Sequence, residues 1–220
     1  MNPLDKSNIK AIIFDLDGTL IDSSEIYFKA INHILSKFSI SCTMEEMMVH
    51  CGAPAEDIYI YFLKEQGVYD PSRKEELKKE FDEKFRELLK DKDIFPEDSK
   101  KALIKLKKKG YTFAMGTGAT RISTVSMVPK DILLLFDAVV TCDDVTNPKP
   151  DPETFLKASE DIMTPPTKCI VIGDGRHDLI AAKEAGMGFI LLRNDHNRDF
   201  DPDGCCICEI NRMIDLTNIL

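Results

Sequence analysis

Five short apolar segments punctuate this chain, at 11–14, 112–115, 138–141, 169–172 and 188–192, and each has the length and composition of a buried strand. Between the second and the fifth, stretches such as 152–162 and 176–185 read as helices. Strands alternating with helices require crossover connections, which are right-handed and generate a parallel, doubly wound α/β sheet. Residues 206–210 offer a further edge strand before a last helix.

The alternation breaks between residues 23 and 93. This block contains no convincing strand and reads as four helices. Tyr27, Ile31, Ile34, Leu35 and Phe38 form one apolar stripe at helical spacing, and Leu77, Phe81, Phe85 and Leu88 form another. Ser23 or Ser24, with Glu25 behind, starts the first helix. Pro54 sits at the first turn of a helix over 55–66, and Pro71-Ser72-Arg73 opens the last, over 73–92. The expected organisation is therefore an α/β core from 1–22 and 94–220, with a helical cap domain of 23–93 inserted after the first strand.

In a doubly wound sheet, functional groups collect at the carboxyl ends of the strands. The first strand runs directly into Asp15-Leu16-Asp17-Gly18. Two carboxylates this close resist joint ionisation unless a cation or proton compensates them, and a hard cation such as Mg²⁺ prefers such oxygen ligands. The second strand ends in Gly116-Thr117-Gly118-Ala119-Thr120, a small-residue turn that can cradle a phosphate. After the third comes Asn147-Pro148-Lys149-Pro150-Asp151-Pro152, whose prolines are expected to hold Lys149 in an extended, rigid segment as a fixed cation. The fourth ends in Gly173-Asp174-Gly175-Arg176-His177-Asp178. A helix starting near Gly175 would point Asp174 and Asp178 at one place.

A net charge of −9 disfavours nucleic acid or an anionic membrane as principal partner, but leaves room for a small anion at a local positive site. No apolar stretch approaches the ~18 residues a bilayer span requires. The seven cysteines are an odd number without a secretory signal, which points to a reduced, cytoplasmic compartment. Cys205, Cys206 and Cys208 lack the spacing or the nearby His of a tetrahedral metal site, and read as small apolar fillers on a late strand.

Taken in order, Asp15-x-Asp17-Gly18-Thr19, Thr117-Gly118, Lys149-Pro-x-Pro and Gly173-Asp174-x-x-x-Asp178 resemble the motifs of the haloacid dehalogenase-like hydrolase superfamily. The resemblance covers 12 to about 192 and implies a Rossmann-like core with a small helical cap. It implies that Asp15 is a nucleophile forming an aspartyl-phosphate and that Asp17 is the acid and base. It places Mg²⁺ between the Asp15 carboxylate, the Asp17 carbonyl and Asp174, with Asp178 orienting a metal-bound water. Thr117, Gly118 and Lys149 would grip the phosphoryl oxygens.

Asp17 argues for phosphate chemistry, because the superfamily's dehalogenases lack this second carboxylate. The phosphohexose mutase branch usually carries a His where this chain has Tyr27, and cations in the cap loop where this chain has His50-Cys51-Gly52-Ala53. The expected activity is thus hydrolysis of a small phosphorylated metabolite, of the sugar phosphate or phosphoglycolate class, by a monomer or weak dimer. A mutase, or a catalytically silent metabolite-binding protein, is the alternative. His50, Cys51, Gly52, Ala53 and Arg121 are the candidates for selecting the leaving group.

Overall fold

The computed structural model describes residues 8–50, 53–90 and 92–220. Strand β1 (Ala11–Phe14) is fully buried and lies at the centre of a six-stranded, all-parallel sheet. Its side chains alternate between two apolar clusters. Ile12 and Phe14 face one, Ala11 and Ile13 the other, as the two-residue period of a strand requires. A strand with both faces covered carries apolar residues continuously, and this explains the unbroken Ala-Ile-Ile-Phe run.

Four helices follow: α1 (Ser24–Ser36), α2 (Met44–Met48), α3 (Ala55–Glu65) and α4 (Lys74–Leu89). The stripes expected from the sequence face the apolar cluster, with Tyr27 and Phe38 of the first only partly buried. Ile31, Ile34 and Leu35 of α1 are buried, as are Leu77, Phe81 and Phe85 of α4. Leu89 is buried where Leu88 was expected, with Leu88 only partly covered. The rings of Tyr27, Tyr59, Phe81 and Phe85 form one aromatic group, with centroid separations from 4.7 to 6.2 Å. The apolar cluster of these helices is continuous with that on one face of the sheet.

The remaining elements are α5 (Glu97–Lys108), β2 (Thr112–Gly116), α6 (Arg121–Met127), α7 (Lys130–Leu133), β3 (Ala138–Val140), α8 (Glu153–Asp161), β4 (Cys169–Gly173), α9 (Arg176–Glu184), β5 (Gly188–Leu192), β6 (Cys208–Ile210) and α10 (Leu216–Ile219). The order across the sheet is β3-β2-β1-β4-β5-β6. Helix α5 covers one face through Ala102, Leu103 and Leu106. Helices α8 and α9 cover the other through Phe155, Ala158, Ala181 and Ala182.

Some boundaries differ from the expectation. Strand β3 stops at Val140 because Thr141 turns away, its hydroxyl donating to the Asp144 carboxylate at 2.6 Å. Only Cys208 of the cysteine group lies in a strand. Cys205 and Cys206 sit in the preceding loop, partly buried against the α8–α9 face. The described cysteines are all free thiols. No helix of the described residues is long and apolar enough to cross a membrane.

The order of the strands reverses between β1 and β4, and the crevice at that switch point is where the fold offers a site. The frame holding it depends on tight packing behind β1. Phe14 meets Phe113 and Phe136 edge-on, at 5.3 and 6.0 Å. Phe113→Ala should therefore cost about 3–5 kcal/mol of folding stability, read from urea denaturation at constant m-value.

Candidate active site

Beyond its last strand residue, β1 continues its ladder for one more step. The Asp15 amide donates to the Ile172 carbonyl of β4 at 2.9 Å, so the side chain of Asp15 emerges from rigid backbone. The chain then turns sharply: Gly18 has φ of +84° and donates its amide to the Ile21 carbonyl at 2.8 Å. Glycine is needed here for a second reason. A Cβ at Gly18 would lie 2.2 Å from Asp174 Oδ2, so its absence admits the acid from β4.

Strand β4 delivers that acid through Gly173, where a Cβ would lie 2.6 Å from the Cβ of Asp178. Helix α9 begins directly after Gly175, and its first turn carries Asp178 inward. Asp178 is buried, its Oδ2 accepting from the Gly175 amide at 3.2 Å. The expected convergence of Asp174 and Asp178 is thus present.

Lys149 does not lie on an extended segment. Residues 148–151 form a turn closed by the Asp151 amide donating to the Pro148 carbonyl at 3.2 Å, because successive prolines here favour a bend over a straight run. The turn nonetheless buries the lysine, leaving it 3% exposed. Its ammonium donates to Asp15 Oδ1 at 2.6 Å, to Asp178 Oδ1 at 2.7 Å and to the Gly116 carbonyl at 3.3 Å. A lysine with all three protons directed and two carboxylates beside it holds its charge firmly, and these neighbours raise its pKa despite burial.

One ammonium is too little for these acids. Burial above all, and then the charge of Asp178, hold Asp15 well above the usual carboxylate range against the pull of Lys149. Burial and Asp178 raise Asp174 to about 7. Oxygens of Asp15, Asp174 and Asp178 all lie within 4.8 Å of one another. An all-carboxylate set of hard oxygens, under-compensated and admitted by a missing Cβ, fits a Mg²⁺ ion. Asp178 belongs to this group of oxygens while its Oδ1 also accepts from Lys149.

Asp17 is kept apart. Its carboxylate accepts from the Ser23 hydroxyl at 2.5 Å and from the Thr117 hydroxyl at 3.4 Å. Burial raises it to about 6, while Ser23, Lys149 and Thr117 pull the other way. Ser23, one of the two serines expected to start α1, serves this acid and makes no side-chain cap bond.

The fifth strand contributes residues that the sequence reading passed over. In the loop after β5, Asn194 donates to Asp174 Oδ2 at 2.7 Å and to the Gly18 carbonyl at 3.0 Å. Asn197 donates to the Asp174 carbonyl at 2.8 Å. Thr19 donates to Asp174 Oδ1 at 3.3 Å. Applying the strand-end rule once more, to β5, would have found the two asparagines.

Two candidates for leaving-group contact lie elsewhere. Arg121 bonds the Val139 carbonyl at 3.0 Å and Asp144 at 2.6 Å, tying α6 to the end of β3, and does not line the cleft. The His50 ring packs on Tyr61 at 4.3 Å, outside the cleft lining, because an aromatic partner on α3 claims it. Ala53 does line the cleft, with Gly118. Cys51 and Gly52 lie outside the described residues.

The haloacid dehalogenase-like hydrolase pattern matches residues 12–192, from β1 to the end of β5, the span that carries Asp15, Asp17, Thr117, Lys149, Asp174 and Asp178. The chain belongs to that family. Among its relatives is the pyrophosphatase PpaX of Anoxybacillus flavithermus, 30% identical over 97% of both chains. Its fold is similar to a predicted phosphoglycolate phosphatase from Haemophilus somnus, with a TM-score of 0.82 at 22% identity over 97% of this chain and 99% of that one. It is also similar to a β-phosphoglucomutase from Clostridium difficile, with a TM-score of 0.81 at 20% identity over 94% and 93%. Within the haloacid dehalogenase-like hydrolases the chain falls in the phosphatase branch.

The acid cluster generates a prediction about stability. Asp17 and Asp174 bind protons more tightly in the folded chain than in the unfolded one. Without metal, the cluster therefore costs stability increasingly as pH rises from about 4 through 7. Mg²⁺ binds the ionised form, so the rise in Tm on adding Mg²⁺ in place of EDTA should be larger at pH 8 than at pH 5. Equal shifts at both values, followed by scanning fluorimetry, would contradict this account of the cluster.

Proposed function

We propose that this hydrolase is a Mg²⁺-dependent phosphomonoesterase acting on a small phosphorylated metabolite. The observation that carries this reading is the division of the acids. Asp15 is gripped by a buried ammonium, while Asp17 is held separately by two hydroxyls with a pKa of about 6. A nucleophile and a proton carrier are thereby distinguished, since a general acid–base group works best with a pKa near the working pH.

Asp15, Asp174 and Asp178 would hold the Mg²⁺, together with the Asp17 carbonyl, and the ion would supply charge for the phosphoryl oxygens. Lys149 fixes the Asp15 carboxylate in one orientation and adds a second positive charge at the phosphoryl group. Gly118 lines the cleft, and Thr117, buried beside it with its hydroxyl on Asp17, would complete the grip. An Asp15 oxygen attacks phosphorus as the ester bond breaks, and Asp17 delivers its proton to the departing oxygen. Asp17 then takes a proton from water. That water's oxygen attacks phosphorus, the bond to Asp15 breaks, and inorganic phosphate leaves.

The 23–93 helices would act as the cap of this site, closing over the substrate. A mutase must grip two phosphates. Lys149 is the only lysine or arginine among the described residues lining the cleft, which favours hydrolysis.

Asp15→Asn should abolish both turnover and the covalent phosphoenzyme. Asp17→Asn preserves the main chain and removes proton transfer, so kcat should fall about 10²–10⁴-fold. With a good leaving group such as p-nitrophenol, that variant should accumulate a phosphorylated Asp15, detectable by mass spectrometry of the quenched enzyme. Finding no phosphorylated Asp15 in Asp17→Asn under any condition would remove Asp15 as the nucleophile.

A further inference from the structure

The cleft has two halves of opposite character. Its floor is polar, made by Asp15, Asp17, Asp174 and Lys149. Its upper half, supplied by α1, α2 and the start of α3, presents Tyr27, Met47, Met48, Ala53, Ala55 and Ile58. If the phosphoryl group sits on Asp15, the rest of the substrate must extend into that upper half, because the strands close the floor beneath.

This upper half is unsuited to a second anion. Lys149 is already committed to Asp15 and Asp178. The whole segment 47–58 contains no Lys or Arg, and no described Lys or Arg other than Lys149 lines the cleft. At the mouth of the cleft stands Asp22, whose carboxylate accepts from the Ser24 amide and hydroxyl. Beside it the His196 ring lies 3.2 Å from Ser24 Oγ. A second phosphate or a carboxylate would lose its hydration against methionines and face a like charge at the exit.

Resting on the phosphomonoesterase reading above, we propose that this site selects phosphomonoesters whose leaving group is uncharged and apolar, seated between the Tyr27 ring and the side chains of Met47, Met48 and Ile58. Pyrophosphate, bisphosphates and phosphoglycolate are poor substrates for it. Methionine adapts to varied shapes, so selection is by polarity more than by outline.

The test compares kcat/KM with Mg²⁺ for n-hexyl phosphate, glycerol 3-phosphate, phosphoglycolate and pyrophosphate. The three esters have similarly unreactive alkoxide leaving groups, so differences among them report the pocket. Hexyl phosphate should lead glycerol 3-phosphate at least about tenfold, since each methylene taken from water is worth roughly threefold to fourfold. Met48 is only half-buried, so Met48→Lys should fold, and it should reverse the order in favour of phosphoglycolate and pyrophosphate. Met48→Gln, a milder change, should shrink the hexyl preference. Titration of the same four compounds into Mg²⁺-loaded Asp15→Asn separates the two levels of the argument. If none of them binds and none is turned over, the phosphomonoesterase reading fails and this inference falls with it. Turnover in which phosphoglycolate or pyrophosphate leads, or selectivity untouched by Met48→Lys, overturns the apolar subsite and leaves that reading standing.

Discussion

A surplus of buried negative charge governs this structure. Asp15, Asp174 and Asp178 converge within 4.8 Å, with Asp17 nearby, and one buried ammonium stands among them. Collecting carboxylates out of water is costly, and a lone ion pair inside a protein seldom repays its desolvation. The arrangement therefore contributes little to folding and must be imposed by the rest of the chain. It persists because the sheet supplies rigidity. Asp15 and Thr117 extend their ladders through amides bonded at 2.9 Å to Ile172 and Val140, and the strands behind them are buried on both faces.

The local departures from ordinary backbone follow from the same constraint. Gly18 and Gly173 remove the Cβ atoms that would keep Asp174 and Asp178 away. Asn194, Asn197 and Thr19 surround Asp174 with donors to its carboxylate and its carbonyl, so it cannot swing out to solvent. Carboxylates oriented in this way would present a cation with a prepared set of oxygens, and supporting donors of this kind matter nearly as much as the ligands themselves.

Much of this was legible in the sequence, for reasons that can be stated. The strands show because each is an unbroken apolar run. The acids show because Asp15, Asp17 and Asp174 stand at or just beyond the ends of such runs, with Asp178 one helical turn past Asp174, where no packing role explains them. Lys149 shows because prolines flank it, although the prolines make a turn and not an extended stretch. The asparagines of the β5 loop were legible by position alone, since they follow a strand end, but an amide side chain carries no charge to betray its partner. His50 and Arg121 were misplaced for another reason. Sequence position fixes which loop a side chain leaves, but its direction is set by tertiary partners, here Tyr61 for the one and Asp144 with the Val139 carbonyl for the other.

The two halves of the cleft obey different physical rules, and this bears on how such a fold can vary its substrates. The floor is a coupled network. Changing one acid alters the protonation of the others, and a Cβ at Gly18 or Gly173 collides with a carboxylate-bearing side chain. The upper half is apolar packing on helices outside the sheet, where Met48 and Ala53 are only partly buried and can be exchanged without disturbing a strand. On the function proposed above, phosphoryl transfer would need the network intact, whereas recognition of the leaving group would need only a surface of suitable polarity. The fold would then separate what must be constant, at the carboxyl ends of the parallel strands, from what is free to change, on the helical segment between β1 and α5.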